Sequence, residues 1–110
     1  MERVVFVYTT FPSLVEAEAA GRVLVERRLT PSVNILPGVV SHYWWEGKIA
    51  RGEEVVMIVK TRAALAEAVC AAVKEKHSYA TPGIVVLPVE SVDRSYLDWI
   101  LTETEAAEKS

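Results

Sequence analysis

Two adjacent tryptophans, Trp44 and Trp45, place the hardest constraint on how this chain folds. They lie in a stretch from Ser32 to Thr61 that reads as one long β-hairpin, with arms Ser32–Trp45 and 53–61 joined by residues 46–52. Successive side chains on a strand point to opposite faces, so the two indoles need separate cover. The second arm repeats the demand, because Val55-Val56-Met57-Ile58-Val59 is apolar without alternation, the pattern of a strand buried on both faces. A chain of 110 residues must therefore supply two covers or share one with a neighbour.

The rest of the sequence supplies one. Val4-Val5-Phe6-Val7-Tyr8-Thr9-Thr10 is a β-branched and aromatic strand stopped by Pro12. Ser13-Leu14-Val15-Glu16 has capping-box form, with the Ser13 hydroxyl accepting from the Glu16 amide and the Glu16 side chain reaching back. The helix that follows to about Arg28 carries Ala17, Ala20 and Leu24 on one stripe. Pro37-Gly38 interrupts the first hairpin arm and predicts a bulge on an edge strand. Thr61 is positioned to cap a second helix to about Lys76, with Leu65, Val69, Ala72 and Val73 as its core stripe. Pro82-Gly83 turns into a fourth strand, Ile84-Val85-Val86-Leu87, and Asp93 caps a short last helix bearing Tyr96, Leu97, Ile100 and Leu101.

Strand, helix, strand, strand, helix, strand is the split βαβ order of an α+β, ferredoxin-like βαββαβ domain. The expected layout is one domain over residues 1–102, with a short C-terminal helix and a flexible acidic tail at 103–110. Two helices cover one face of such a sheet. The other face stays apolar and open, and self-association with closed symmetry is the simplest cover.

Composition narrows the function classes. A net charge of -3 without a basic block gives no footprint for nucleic acid, and no segment is long and apolar enough for a membrane span. The start Met1-Glu2-Arg3-Val4 lacks the pattern of a signal peptide, and the single Cys70 fits a reducing compartment, so a cytoplasmic location is expected. No nucleophile elbow, glycine-rich phosphate loop or paired-histidine motif is present, and no enzymatic activity is expected.

One set of residues carries a resemblance. Val33-Asn34-Ile35-Leu36-Pro37-Gly38, then Ser41, Tyr43 and Trp45-Glu46-Gly47-Lys48-Ile49, with Lys60-Thr61, His77, Tyr79, Pro82, Tyr96-Leu97 and Trp99, resembles the CutA family of divalent-cation tolerance proteins from about Val4 to Trp99. The resemblance implies a ferredoxin-like subunit in a homotrimer and a link to copper(II) or another divalent cation. It also marks two departures: Tyr8 stands where some members carry cysteine, and His77-Ser78-Tyr79-Ala80-Thr81-Pro82-Gly83 ends in glycine where the family pattern has glutamate. Of those ligand types only a histidine remains.

His77 is accordingly the metal candidate, against a structural role capping the preceding helix, and Glu90 is a nearby carboxylate that could join it. His42 reads as an exposed or interface residue, and Cys70 as packing on a helix flank. Lys60, just before the expected helix amino terminus, suggests either an anion pocket or a lysine that reaches solvent with its stem packed on Trp or Tyr, and Tyr43, Trp45, Tyr79, Tyr96 and Trp99 are candidates for lining a cleft between subunits, against a role in packing the interface itself. An alternative follows by fold analogy: a trimeric P-II-like signalling module that binds a nucleotide or small anion in such clefts.

Overall fold

The computed structural model describes residues 2–109, with side chains through Ala107. The elements are β1 (Val4–Phe11), α1 (Leu14–Glu26), β2 (Ser32–Trp45), β3 (Lys48–Arg62), α2 (Ala66–Lys76, entered through a 3-10 turn at Ala63–Leu65), β4 (Ile84–Pro88) and α3 (Arg94–Lys109). The strands form one antiparallel sheet in the order β2-β3-β1-β4. This is the expected α+β, ferredoxin-like arrangement.

Pairing in register assigns each strand residue to a face. Val7 opposes Val59 and Thr9 opposes Met57 on the face that receives α1 and α2, where Phe11, Leu24, Val69 and Val73 complete a buried core. Each large apolar side chain moved from water into this layer contributes roughly 1.5–3 kcal/mol. Helix α1 approaches closely because Gly21 lies over the sheet: a Cβ there would sit 3.0 Å from Val33 Cγ2 and 3.3 Å from Met57 Sδ. Ser13 caps α1 as expected, accepting from the Glu16 N–H at 3.2 Å. The reciprocal half of the capping box does not form, since Glu16 is committed elsewhere.

The bulge forms where Pro37-Gly38 placed it. Leu36 opposes Val56 but Val39 opposes Glu54, one extra residue on the edge strand β2, with Gly38 at φ 83°. Beyond it Ser41, Tyr43 and Trp45 share a face with Glu54, while His42 and Trp44 lie on the opposite one. The hairpin turn is tighter than the expected span of 46–52. Strand β3 begins at Lys48, and Glu46 (φ 51°) and Gly47 (φ 77°) make a two-residue turn of the positive-φ kind whose twist suits a hairpin. Gly52 is not a turn residue. It pairs with Ser41, and the Tyr43 ring lies over it, with Oη 3.5 Å from where a Cβ would stand.

Two further expectations are corrected. Thr61 does not cap α2, because β3 runs on to Arg62; its hydroxyl donates instead to Leu29 O at 2.7 Å. The last helix is not short. It continues to Lys109 through most of the expected tail, and Ser110 lies outside the described residues. What holds it is Arg62, whose Nε donates to Thr104 Oγ1 at 2.9 Å and whose Nη2 donates to Leu101 O, with Arg28 paired to Glu103 at 2.6 Å. Helix α3 thereby covers one end of the second sheet face, burying Ile100 and Thr104 beside Val4 and Arg62.

The remainder of that face is open. Tyr8, Leu36, Tyr43, Trp45, Val85 and Leu87 are exposed on it. The hairpin also extends well past the helices, giving principal extents of 45 × 26 × 21 Å and a radius of gyration of 14.6 Å. A compact chain of this length has about 13 Å.

Candidate functional site

His77 stands at the C-cap of α2 and its ring is completely buried. Stacking on Phe11, with centroids 4.3 Å apart, explains the burial. The Tyr79 N–H donates to Nδ1 at 3.1 Å, which requires the proton on Nε2, and Nε2 donates to Thr10 O at 2.6 Å. Both nitrogens are thus engaged in joining the α2–β4 loop to the end of β1. Glu16 Oε2 comes within 3.7 Å of Nδ1 but accepts from the Ser78 N–H and hydroxyl, each at 3.0 Å. Glu90 does not join His77. It follows β4 at the Val4 end of β1, in a cavity of about 870 Å³ with Arg3 and Arg94. Among the described residues no group of three His, Cys, Asp or Glu side chains could hold a metal ion.

The aromatic candidates separate into two groups. Tyr43 and Trp45 from the hairpin and Tyr79 from the α2–β4 loop line a groove of about 580 Å³ together with Thr10, Ser41 and Glu54. Tyr79 Oη donates to Glu54 Oε2 at 3.0 Å. Partial burial and this carboxylate push the Tyr79 phenol up to about 12, so it remains a donor throughout the neutral range.

At the other end of the open face, the Lys60 ammonium lies 5.8 Å from the centre of the Tyr96 ring, and Tyr96 packs on Trp99 with centroids 5.7 Å apart. Lys60 lies six positions along β3 from Glu54, about 20 Å along a strand. The helix amino terminus that was to help Lys60 hold an anion is also displaced, since α2 starts only at Ala66. His42 opposes Arg51 on the other face of the hairpin, away from the groove. Cys70 is partly buried among the core residues, and burial pushes its thiol up, which makes it less reactive.

Sequence reasoning missed Glu54 and Glu16. Glu54 belongs to a Glu53-Glu54 pair, and which of the two shares a face with Tyr43 depends on the bulge. Glu16 reads as a capping residue from its spacing, and nothing local points to Ser78.

Comparison with known proteins matches residues 5–103 to the family model described as CutA1 divalent ion tolerance protein. The chain is 47% identical over 95 residues to the divalent-cation tolerance protein CutA of Archaeoglobus fulgidus, covering 86% of this chain and 92% of that one. Its fold superposes on the crystal structure of CutA from Xylella fastidiosa with a TM-score of 0.90 at 37% identity, covering 93% and 98% of the two chains. The structure of the periplasmic divalent cation tolerance protein CutA from Archaeoglobus fulgidus gives 0.89 at 44% identity, covering 92% and 98%. These relatives are named for tolerance rather than for a catalysed reaction. With the family model spanning nearly the whole chain and the same sheet and helices in place, this chain belongs to the CutA1 divalent ion tolerance protein family.

Proposed function

We propose that this chain serves divalent-cation tolerance as a cytoplasmic homotrimer that acts by binding rather than by catalysis. The observation that carries the assembly is the open sheet face: Trp45 is 55% exposed there, in line with Tyr43, Leu36 and Tyr8, and only one end of the face is covered by α3. Soluble chains rarely leave so broad an apolar surface to water, and cyclic symmetry closes it without leaving a free edge.

The cation is a separate matter. The described residues of one chain do not fit a metal site, because His77 has no free ring nitrogen and no second and third ligand among them converge on it. Copper(II) or another divalent cation would have to be taken by side chains from more than one copy. Nothing favours the P-II-like alternative, since Lys60 is occupied over Tyr96 and stands apart from a helix amino terminus.

Light scattering of the purified protein tests the assembly, and three times the chain mass is the expected result. A stable monomer at micromolar concentration overturns it. A calorimetric copper(II) titration of chelator-treated protein, repeated with His77→Ala, tests the metal: saturable binding that survives the substitution is expected, and binding that is abolished returns His77 to the ligand set.

A further inference from the structure

We propose that His77 is an acid-operated latch: a proton added at Nδ1 moves the bond of that nitrogen from the Tyr79 amide to the Glu16 carboxylate and releases the α2–β4 loop at Tyr79. This goes beyond the divalent-cation reading and does not depend on it.

The closed state is a neutral ring with no spare atom. Nε2 donates to Thr10 O at 2.6 Å, and Nδ1 accepts from the Tyr79 N–H at 3.1 Å. The ring is stacked on Phe11 and completely buried by its own chain, so these bonds hold whatever covers the open sheet face. Tyr79 carries the tie onward, because its phenol donates to Glu54 on β3. A single imidazole thereby joins the end of β1 to the end of α2 and, through Tyr79, to the hairpin.

A proton taken from solvent at Nδ1 turns the acceptor into a second donor. Two N–H groups then face each other, and the Tyr79 amide must withdraw. The new donor has a partner waiting. Glu16 Oε2 stands 3.7 Å from Nδ1, roughly 1 Å beyond hydrogen-bond length, and its negative charge balances the imidazolium where an unpaired buried charge would be costly. Both Ser78 bonds to Glu16 fall on that same oxygen, so turning it to the ring either draws Ser78 along or lets it go, and each outcome moves the backbone between His77 and Tyr79. The same proton therefore pushes the loop from one side and pulls it from the other.

The surrounding charges leave Glu16 as the partner. β1 contributes only the uncharged Thr10 and Phe11 to the ring. The last turn of α2 carries Lys74 and Lys76, which repel an imidazolium, and Glu75, which is paired with Arg27. Glu54 reaches the site through the Tyr79 phenol, which keeps its proton up to about pH 12 and so takes no part in an acid transition.

Imidazole nitrogen NMR of the full-length protein in its native assembly reads both states without any substitution. On acidification from about pH 8 to about pH 5, where histidines change charge, His77 is expected to pass from the Nε2–H tautomer to the doubly protonated ring in step with a shift of the Tyr79 amide, while exposed His42 titrates without one. Glu16→Gln keeps an oxygen for Ser78 and removes the counter-charge, and should lower the midpoint of both changes by about one pH unit. His77→Gln, neutral throughout, should abolish the Tyr79 response. A ring that keeps its neutral tautomer until the chain unfolds, or that becomes charged while the Tyr79 amide stays unmoved, overturns the proposal in the wild type alone. A midpoint indifferent to Glu16→Gln, or a Tyr79 response that persists in folded His77→Gln, overturns it as well and assigns the acid sensitivity to another group.

Discussion

The two halves of the β2–β3 hairpin both carry large apolar side chains and leave them in opposite states. In the half from Val55 to Arg62, valines and a methionine are buried under α1, α2 and α3. In the outer half, Ile49 is 66% exposed and Trp44, directly opposite it, 72%. Residue type accounts for part of the difference, since Lys48, Arg51, Glu53 and Glu54 lie in the outer half of β3, but the exposure of Trp44, Trp45 and Ile49 follows from length. Helix α1 has 13 residues and rises about 20 Å, whereas β3 has 15 and extends about 50 Å, so the chain's own helices run out before the hairpin does. The apolar side chains of the outer half, Tyr43, Trp44, Trp45 and Ile49, are surface that this chain makes and does not cover.

The sharpest way to break the comparison is to truncate one residue from each half. Met57→Ala should cost about 2–5 kcal/mol in denaturant unfolding at every protein concentration, because it opens a cavity in a core closed within one chain. Trp44→Ser should cost less than about 1 kcal/mol at high dilution and more as concentration rises, since only a neighbour can cover that side chain. Equal, concentration-independent losses would erase the distinction.

A second substitution sharpens it at the boundary of the two halves. His77→Phe preserves the stacking on Phe11 but leaves Thr10 O and the Tyr79 N–H without their partner, and a loss of about 1–3 kcal/mol is expected. Within the covered face, Thr9 Oγ1 is buried with no hydrogen-bond partner, so Thr9→Val should stabilise by about 1 kcal/mol in thermal unfolding.

The smallest effect belongs to Tyr79. Its phenol titrates near 12 in the folded chain against about 10 unfolded, so the folded state holds its proton longer. The associated stability is complete below pH 10 and is lost as pH rises from about 10 to 12. Unfolding measured across that window should decline less in Tyr79→Phe, and an absorbance titration of the wild type should show one late tyrosine.

Much of this architecture is legible in local chemistry. Ser13 announces α1, Pro37-Gly38 announces the bulge, and the unbroken apolar run Val55-Val56-Met57-Ile58-Val59 of β3 announces a strand that needs cover on both faces. The misreadings share a cause, which is that the deciding partner is distant in sequence. Gly52 looks like a turn residue until Tyr43 is known to lie on it, and Thr61 looks like a cap until Leu29 O claims its hydroxyl. The Glu-rich and Ala-rich end looks too polar to pack, yet Arg62 anchors it from 42 residues away. At the candidate site the aromatic residues were recognisable by type. Their division into two groups about 20 Å apart, and the inclusion of Glu54 in one of them, follow only from strand register.

The bulge at Gly38 has a consequence for how such a sequence can change over time. Below it the even-numbered residues of β2 face the open side, and above it the odd-numbered ones do. Losing that single residue while the lower pairing held would rotate everything beyond it by half a turn, exchanging His42 and Trp44 for Tyr43 and Trp45 without altering any of the four. A lineage can therefore replace these side chains freely one at a time, but it cannot shorten or lengthen this arm by one position without turning the hairpin's surface inside out.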